Sequence, residues 1–152
     1  IQADGCLVTT IAANFLTGEM AADSMVSSDD SYYLINKLRR GKGCIYGGAG
    51  DFEKLLKFYQ VLDQGGDLDS DTDISILMLN AQGLWVYESS VIPVPIKNSF
   101  FAIGTGAGYA MGAMHLGKSP REAVEIACMY DTSSHGPIDE MKLERIRGTK
   151  KS

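Results

Sequence analysis

Two apolar stretches, Val8 to Phe15 and Met20 to Val26, stand either side of Leu16-Thr17-Gly18-Glu19. Each has the length of a strand, and Gly18 accepts a turn backbone that most residues resist. The pattern predicts an antiparallel hairpin near the start of the chain. That hairpin constrains more than its own shape, because pairing about the turn returns Asp23 beside Thr9. Thr9 and Thr10 open the first strand; on their own they are ordinary β-branched packing residues.

Beyond a polar break at Ser27 to Ser31, Tyr32 to Leu38 and Cys44 to Tyr46 read as strands, the second running into Gly47-Gly48-Ala49-Gly50. The period then becomes helical. Asp51 caps a helix whose apolar face is Phe52, Leu55, Leu56, Tyr59 and Leu62. A Gly/Asp-rich loop from Gln64 to Asp73 precedes a mostly buried strand at Ile74 to Leu79, and Asn80 to Gly83 turns it back along Leu84 to Glu88. Pro93 and Pro95 keep the next segment extended or at an edge. Phe100 to Ile103 is a strand, which Gly104 to Gly108 bends into a helix ending near Leu116. Ser119, Pro120 and Glu122 start a last helix with a stripe of Ala123, Ile126, Ala127 and Tyr130.

The 152 residues make one domain, 45% hydrophobic and 22% charged, large enough for a real core. A net charge of -5 and a pI near 4.9 argue against nucleic acid as a partner. Cys6, Cys44 and Cys128 are widely spaced and form no CxxC pair, which fits a reducing compartment and offers no zinc signature. His115 and His135 are too few for a histidine metal centre, so no metal or cofactor is expected. No run reaches the roughly 18 apolar residues of a membrane helix. The first residues, IQADGCLV, lack the basic and apolar regions of a secretory signal, and the expected location is cytoplasmic.

VTTIAANFLTGEMAADSM, followed by NKLRR and IYGGAG, resembles the β-type subunits of proteasomes and of the bacterial HslV peptidase. It is nearest to the short proteasome-like proteins of bacteria and their phages. The resemblance runs from Val8 to about Leu143. It implies an α+β four-layer αββα sandwich of the Ntn-hydrolase class, where periodicity alone leaves several α/β and α+β folds open. It also implies a set of roles. Thr9 is the nucleophile, with its own freed α-amine as base. Asp23 orients the lysine. Lys37, in Lys37-Leu38-Arg39-Arg40, matches the family's K-x-x-R and sets an ammonium by the threonine hydroxyl. Gly48, of the Gly47-Gly48 pair, supplies the N–H for the oxyanion. Thr105 stands where many relatives carry serine in a G-S-G turn, and Asp131 and Ser134 match the D-x-x-S element that completes the network. Without the resemblance, Lys37 is part of a solvated basic run and the glycines are an ordinary turn.

Three positions depart from the family pattern. Val8 replaces the glycine usual before the nucleophile, Thr105 replaces serine, and His135 replaces the glycine after D-x-x-S. Residues 1–8 are read as an N-terminal extension or propeptide, 9–143 as the domain, and 144–152 as a basic tail. The implied function is a threonine-type peptidase acting on peptide or unfolded protein within a homo-oligomeric ring or stacked rings, with any ATPase a separate chain. Two alternatives stand beside it: a catalytically silent subunit that keeps its extension, and an Ntn amidohydrolase using Cys6, which Gly5 precedes.

Overall fold

The structure, a computed structural model, describes residues 6–7, 9–27, 31–66, 73–88, 90–131 and 134–144. The first hairpin forms as expected in part. β2 (Thr10–Asn14) and β3 (Glu19–Ala22) pair antiparallel, Ile11 opposite Ala22 and Asn14 opposite Glu19. Asn14 Oδ1 accepts the Leu16 and Thr17 N–H groups at 2.8 and 3.3 Å, and Gly18 takes a φ of 73°. The return strand is shorter than its sequence pattern. It stops at Ala22, and after Asp23-Ser24 the chain enters β4 (Met25–Ser27), which pairs with β5 (Tyr32–Leu34) in a separate ribbon.

The strand expected over Tyr32 to Leu38 is likewise divided. Lys37 falls between β5 and a new strand, β6 (Leu38–Gly41), and Asn36 Oδ1 accepts the Leu38 N–H at 2.9 Å. A two-residue turn joins β6 to β7 (Cys44–Asp51). β7 runs straight through the glycines, which are strand rather than turn. A Cβ on Gly47 would sit 2.7 Å from Ile11 Cγ2 and one on Gly48 2.7 Å from Leu55 Cδ2. The pair lets the strand pass between two close-packed layers.

Asp51 then caps α1 (Phe52–Gln64), its carboxylate accepting from the Glu53 and Lys54 N–H groups. Leu55, Phe58, Tyr59 and Val61 are its buried residues; Leu56, expected on that face, is exposed because it lies 100° round the helix from Leu55. β8 (Ile74–Asn80) and β9 (Gly83–Glu88) form the second expected hairpin, and β10 (Val94–Ile96) is the proline-bearing edge. β11 (Phe100–Gly104) leads into α2 (Ala107–His115), and α3 (Pro120–Tyr130) opens on a complete Ser119–Glu122 capping box. Tyr130, expected in the buried stripe of α3, is exposed and stacks on Tyr109 of α2 at 5.7 Å. β12 (Asp139–Lys142) pairs with β3, and Met141 and Leu143 pack against the core.

These elements make two sheets. One has the order β1-β7-β8-β9-β10 with β6 also on β7, and β1 is Cys6–Leu7; the other has the order β11-β2-β3-β12. β2 is central and covered on both faces, so its residues alternate between two apolar environments. Ile11 and Ala13 face the other sheet, in a cluster with Met20, Leu38, Ile45 and Leu77. Ala12 faces α2 and α3 with Ala21, Ala102, Ala110 and Val124. A third cluster, with Phe58, Tyr59 and Ile76, lies under α1. The result is the expected αββα sandwich.

Candidate active site

Alternation along β2 sends Thr9 and Thr10 to opposite sides, and both are fully buried. The Thr9 hydroxyl donates to Asp23 Oδ1. That same oxygen accepts the Thr10 N–H at 3.1 Å and the Lys37 ammonium at 3.0 Å. Asp23 Oδ2 accepts the His135 N–H at 3.0 Å. Asp23 reaches this position because the β2–β3 ladder continues one step past Ala22: the Asp23 N–H donates to Thr10 O at 3.3 Å. The chain then leaves the sheet, and the His135 carbonyl accepts the Ser24 and Met25 N–H groups at 3.3 and 3.2 Å. The side chains of Asp23 and Lys37 expose no surface. Burial lowers the Lys37 pKa from its ordinary value of 10.5, and the Asp23 carboxylate opposes that shift. Burial, reinforced by the Asp23 charge, pushes the Cys128 thiol up to about 11.

Thr10 points the other way, into a second polar cluster at the end of α3. Asp131 Oδ2 accepts the Thr105 hydroxyl at 2.6 Å and the Ser134 hydroxyl at 2.7 Å. Ser134 Oγ lies 2.8 Å from Thr10 Oγ1, and Thr105 Oγ1 lies 3.3 Å from the Thr9 carbonyl oxygen. Two glycines make this approach feasible. A Cβ on Gly104, whose φ is 99°, would fall 2.0 Å from the Thr9 carbonyl oxygen, and one on Gly106 would fall 2.0 Å from Thr10 Oγ1.

β6 and β1 line the same side of β7, one after the other. Leu38 is opposite Gly47, and Leu7 is opposite Gly50. Gly48 sits at the joint between them, its N–H donating to the Lys37 carbonyl over a long 3.3 Å. β1 also lies against β4, so residues 6–7 occupy a slot between that ribbon and the edge of β7. Val8, whose bulk sets the chain apart from the family pattern, lies outside the described residues.

All seven residues singled out in the sequence, Thr9, Asp23, Lys37, Gly48, Thr105, Asp131 and Ser134, therefore fall on or around Thr9. Sequence reasoning missed Thr10 and the His135 backbone. The Thr9-Thr10 pair itself carried a signal: two successive hydroxyls in a strand covered on both faces both need buried partners. Among the described residues, no group of three or more His, Cys, Asp or Glu is placed to hold a metal ion. No helix among them is long and apolar enough to cross a membrane.

No family model matches the chain, and no curated protein does. Solved structures do. HslV from Trypanosoma brucei superposes with a TM-score of 0.73 at 18% identity, over 90% of this chain and 100% of that one. The chain has the fold of the HslV- and proteasome-like Ntn hydrolases. Two further members of this fold group agree. Thiobacillus denitrificans BPH, in complex with epoxomicin, gives 0.67 at 18% identity, over 90% of this chain and all of that one. Anbu, an ancestral β-subunit from Yersinia bercovieri, gives 0.66 at 14% identity, over 88% of this chain and 80% of that one. At such identities the Ntn-hydrolase likeness is one of fold.

Proposed function

We propose that the chain is a threonine-type peptidase subunit whose nucleophile is Thr9 once its peptide bond to Val8 is cut. One observation carries this reading: the Thr9 hydroxyl and the Lys37 ammonium share a single buried oxygen of Asp23. A hydroxyl held next to a fixed cation loses its proton at lower cost, and burial strengthens the effect. The freed Thr9 amine takes that proton, and the hydroxyl oxygen attacks the substrate carbonyl carbon. The Gly48 N–H, exchanging its long bond to Lys37 O for the oxyanion, stabilises the tetrahedral centre. Collapse breaks the C–N bond, the leaving amine takes the proton, and water hydrolyses the ester left on Thr9.

The slot that holds residues 6–7 supports extended peptide as the substrate, bound by strand addition to β7 beside Ala49–Asp51. Self-cleavage uses the same hydroxyl but not the amine, which is still held in the peptide bond: Thr9 Oγ1 attacks the Val8 carbonyl carbon, the hydroxyl proton passes to the departing Thr9 nitrogen as the C–N bond breaks, and water hydrolyses the resulting ester. Exposed Tyr109, Leu116, Met129 and Tyr130 on α2, α3 and the turn between them support assembly of subunits into a ring or stacked rings. A second reading, a silent subunit that keeps its extension, is favoured by the pairing of β1 with β7 over a fully buried Thr9.

Intact mass and N-terminal sequence of the purified protein and of Thr9→Ala separate the two. The peptidase reading expects the wild type to begin at Thr9 and hydrolyse a fluorogenic peptide, while Thr9→Ala keeps its extension and hydrolyses none. A wild type that keeps IQADGCLV and stays inert makes the silent subunit the correct reading. A terminus at Cys6 moves the nucleophile there.

A further inference from the structure

We propose that Thr10 is a positioning residue for the Thr9 chemistry, tying the acceptor of the Thr9 hydroxyl to the polar cluster beside the Thr9 main chain. The inference rests on the peptidase reading and goes beyond it, because that reading gives Thr10 no part although Thr10 touches both halves of the site.

A carboxylate only accepts, and each hydroxyl has one hydrogen to give. Asp131 Oδ2 receives the Ser134 hydroxyl at 2.7 Å and the Thr105 hydroxyl at 2.6 Å. Ser134 has then spent its hydrogen, so the 2.8 Å contact with Thr10 is donated by Thr10 Oγ1. Thr105 has likewise spent its own, so its 3.3 Å approach to the Thr9 carbonyl is a packing contact rather than a second donation. The direction of these three described hydroxyls follows: Thr10 to Ser134, Ser134 to Asp131, Thr105 to Asp131.

Thr10 is therefore the outermost donor, and nothing else described orients the Ser134 oxygen from that side. Its main chain does a second job, donating N–H to Asp23 Oδ1, the oxygen that holds the Thr9 hydroxyl and Lys37. One rigid, fully buried β-branched residue thus sets the spacing between Asp23 and Ser134. That spacing governs the Thr9 hydroxyl and main chain, the two parts of Thr9 that exchange a proton. Gly106 is the matching concession, since any side chain there would displace Thr10 Oγ1. Thr10 lies behind the nucleophile and touches no substrate, so its effect falls on turnover and not on binding.

The test compares full-length wild type, Thr10→Val and Thr10→Ser, with the exposed terminus checked by intact mass and folding checked by thermal melting. Valine keeps the shape and removes the donor; serine keeps the donor and removes a methyl. Loss of one buried hydrogen bond that orders the site lowers kcat about tenfold in Thr10→Val at unchanged KM, and Thr10→Ser recovers to within about twofold. Thr10→Val with wild-type kcat overturns the role, as does an equal loss in both variants. If Thr10→Val does not fold, Thr10→Ser decides alone: near-wild-type kcat supports the donor, and a tenfold fall with a native melt overturns it. A wild type that never exposes Thr9, or exposes it and cleaves no peptide, overturns the peptidase reading and the Thr10 role together.

Discussion

Replacing Asp23 by leucine will cost the fold more than replacing Lys37 by methionine, although the two form one buried ion pair. Their surroundings are unequal. Asp23 also accepts the Thr9 hydroxyl and the Thr10 and His135 N–H groups, whereas the acceptor of the Lys37 ammonium among the described residues is Asp23. Removing Asp23 strands a buried cation together with three further donors. Breaking a buried pair from one side costs about 3–5 kcal/mol, and stranded donors push toward the upper figure. Removing Lys37 leaves a carboxylate that still has its other donors, so the loss is that of one charge-assisted bond, about 2 kcal/mol. The double variant has no stranded charge and should recover at least ~1 kcal/mol relative to Asp23→Leu alone. Urea unfolding at one fixed protomer concentration measures all three, followed by far-ultraviolet circular dichroism and by the fluorescence of Trp85, the single tryptophan. A Lys37→Met loss equal to that of Asp23→Leu, or a double variant that loses the full sum, refutes the reasoning.

Two other substitutions and one titration test the surroundings of the site. Gly106→Ala, at an ordinary φ of -93°, strains no backbone but crowds Thr10 Oγ1, Ala127 and Asp131, and should cost about 1–3 kcal/mol and most of the peptide hydrolysis. Gly108→Ala, two residues along with nothing near its Cβ, is the control and should gain ~0.5 kcal/mol in the same urea unfolding measurement. With its pKa raised to about 11, Cys128 should be about one part in a thousand thiolate at pH 8. Its alkylation, followed by peptide mass spectrometry, should therefore climb about tenfold per pH unit up to pH 11; a plateau below pH 9 contradicts the burial assigned to it.

The sequence made the site more legible than the path of the chain through it. Strands with a period of two or a full apolar run, such as Ile74–Asn80, were readable because burial alone dictates them. The αββα order was not, since periodicity says which face is covered and never by which layer. Asp23 and Lys37 were expected within strands, and the strands end just beside them. The strands end there because the neighbouring backbone is drawn to distant partners: the His135 carbonyl accepts the Ser24 and Met25 N–H groups and the Ser24 carbonyl accepts the Ile35 N–H, while the hydrophobic pattern runs on. Gly47 to Gly50 read as a turn because glycine is permissive. The close approach of Ile11 and Leu55, which makes glycine necessary in a strand, is a long-range fact. Thr10 looked like packing for the same reason: Ser134 is distant in sequence, and only folding brings them together.

The seat of β1 has a consequence for the timing of any activation. Held by the chain itself, residues 6–7 face β7 at an effective concentration on the order of millimolar or more, set by a tether of almost no length. The described residues of β1 meet β7 over two register positions, and cutting the tether removes the advantage that holds so short a pairing in place. Scission before Thr9 would thus do two things in one event, releasing an amine and vacating a strand edge of unpaired N–H and C=O groups. No intermediate would carry a live nucleophile behind a blocked slot, and an uncut chain would carry neither hazard.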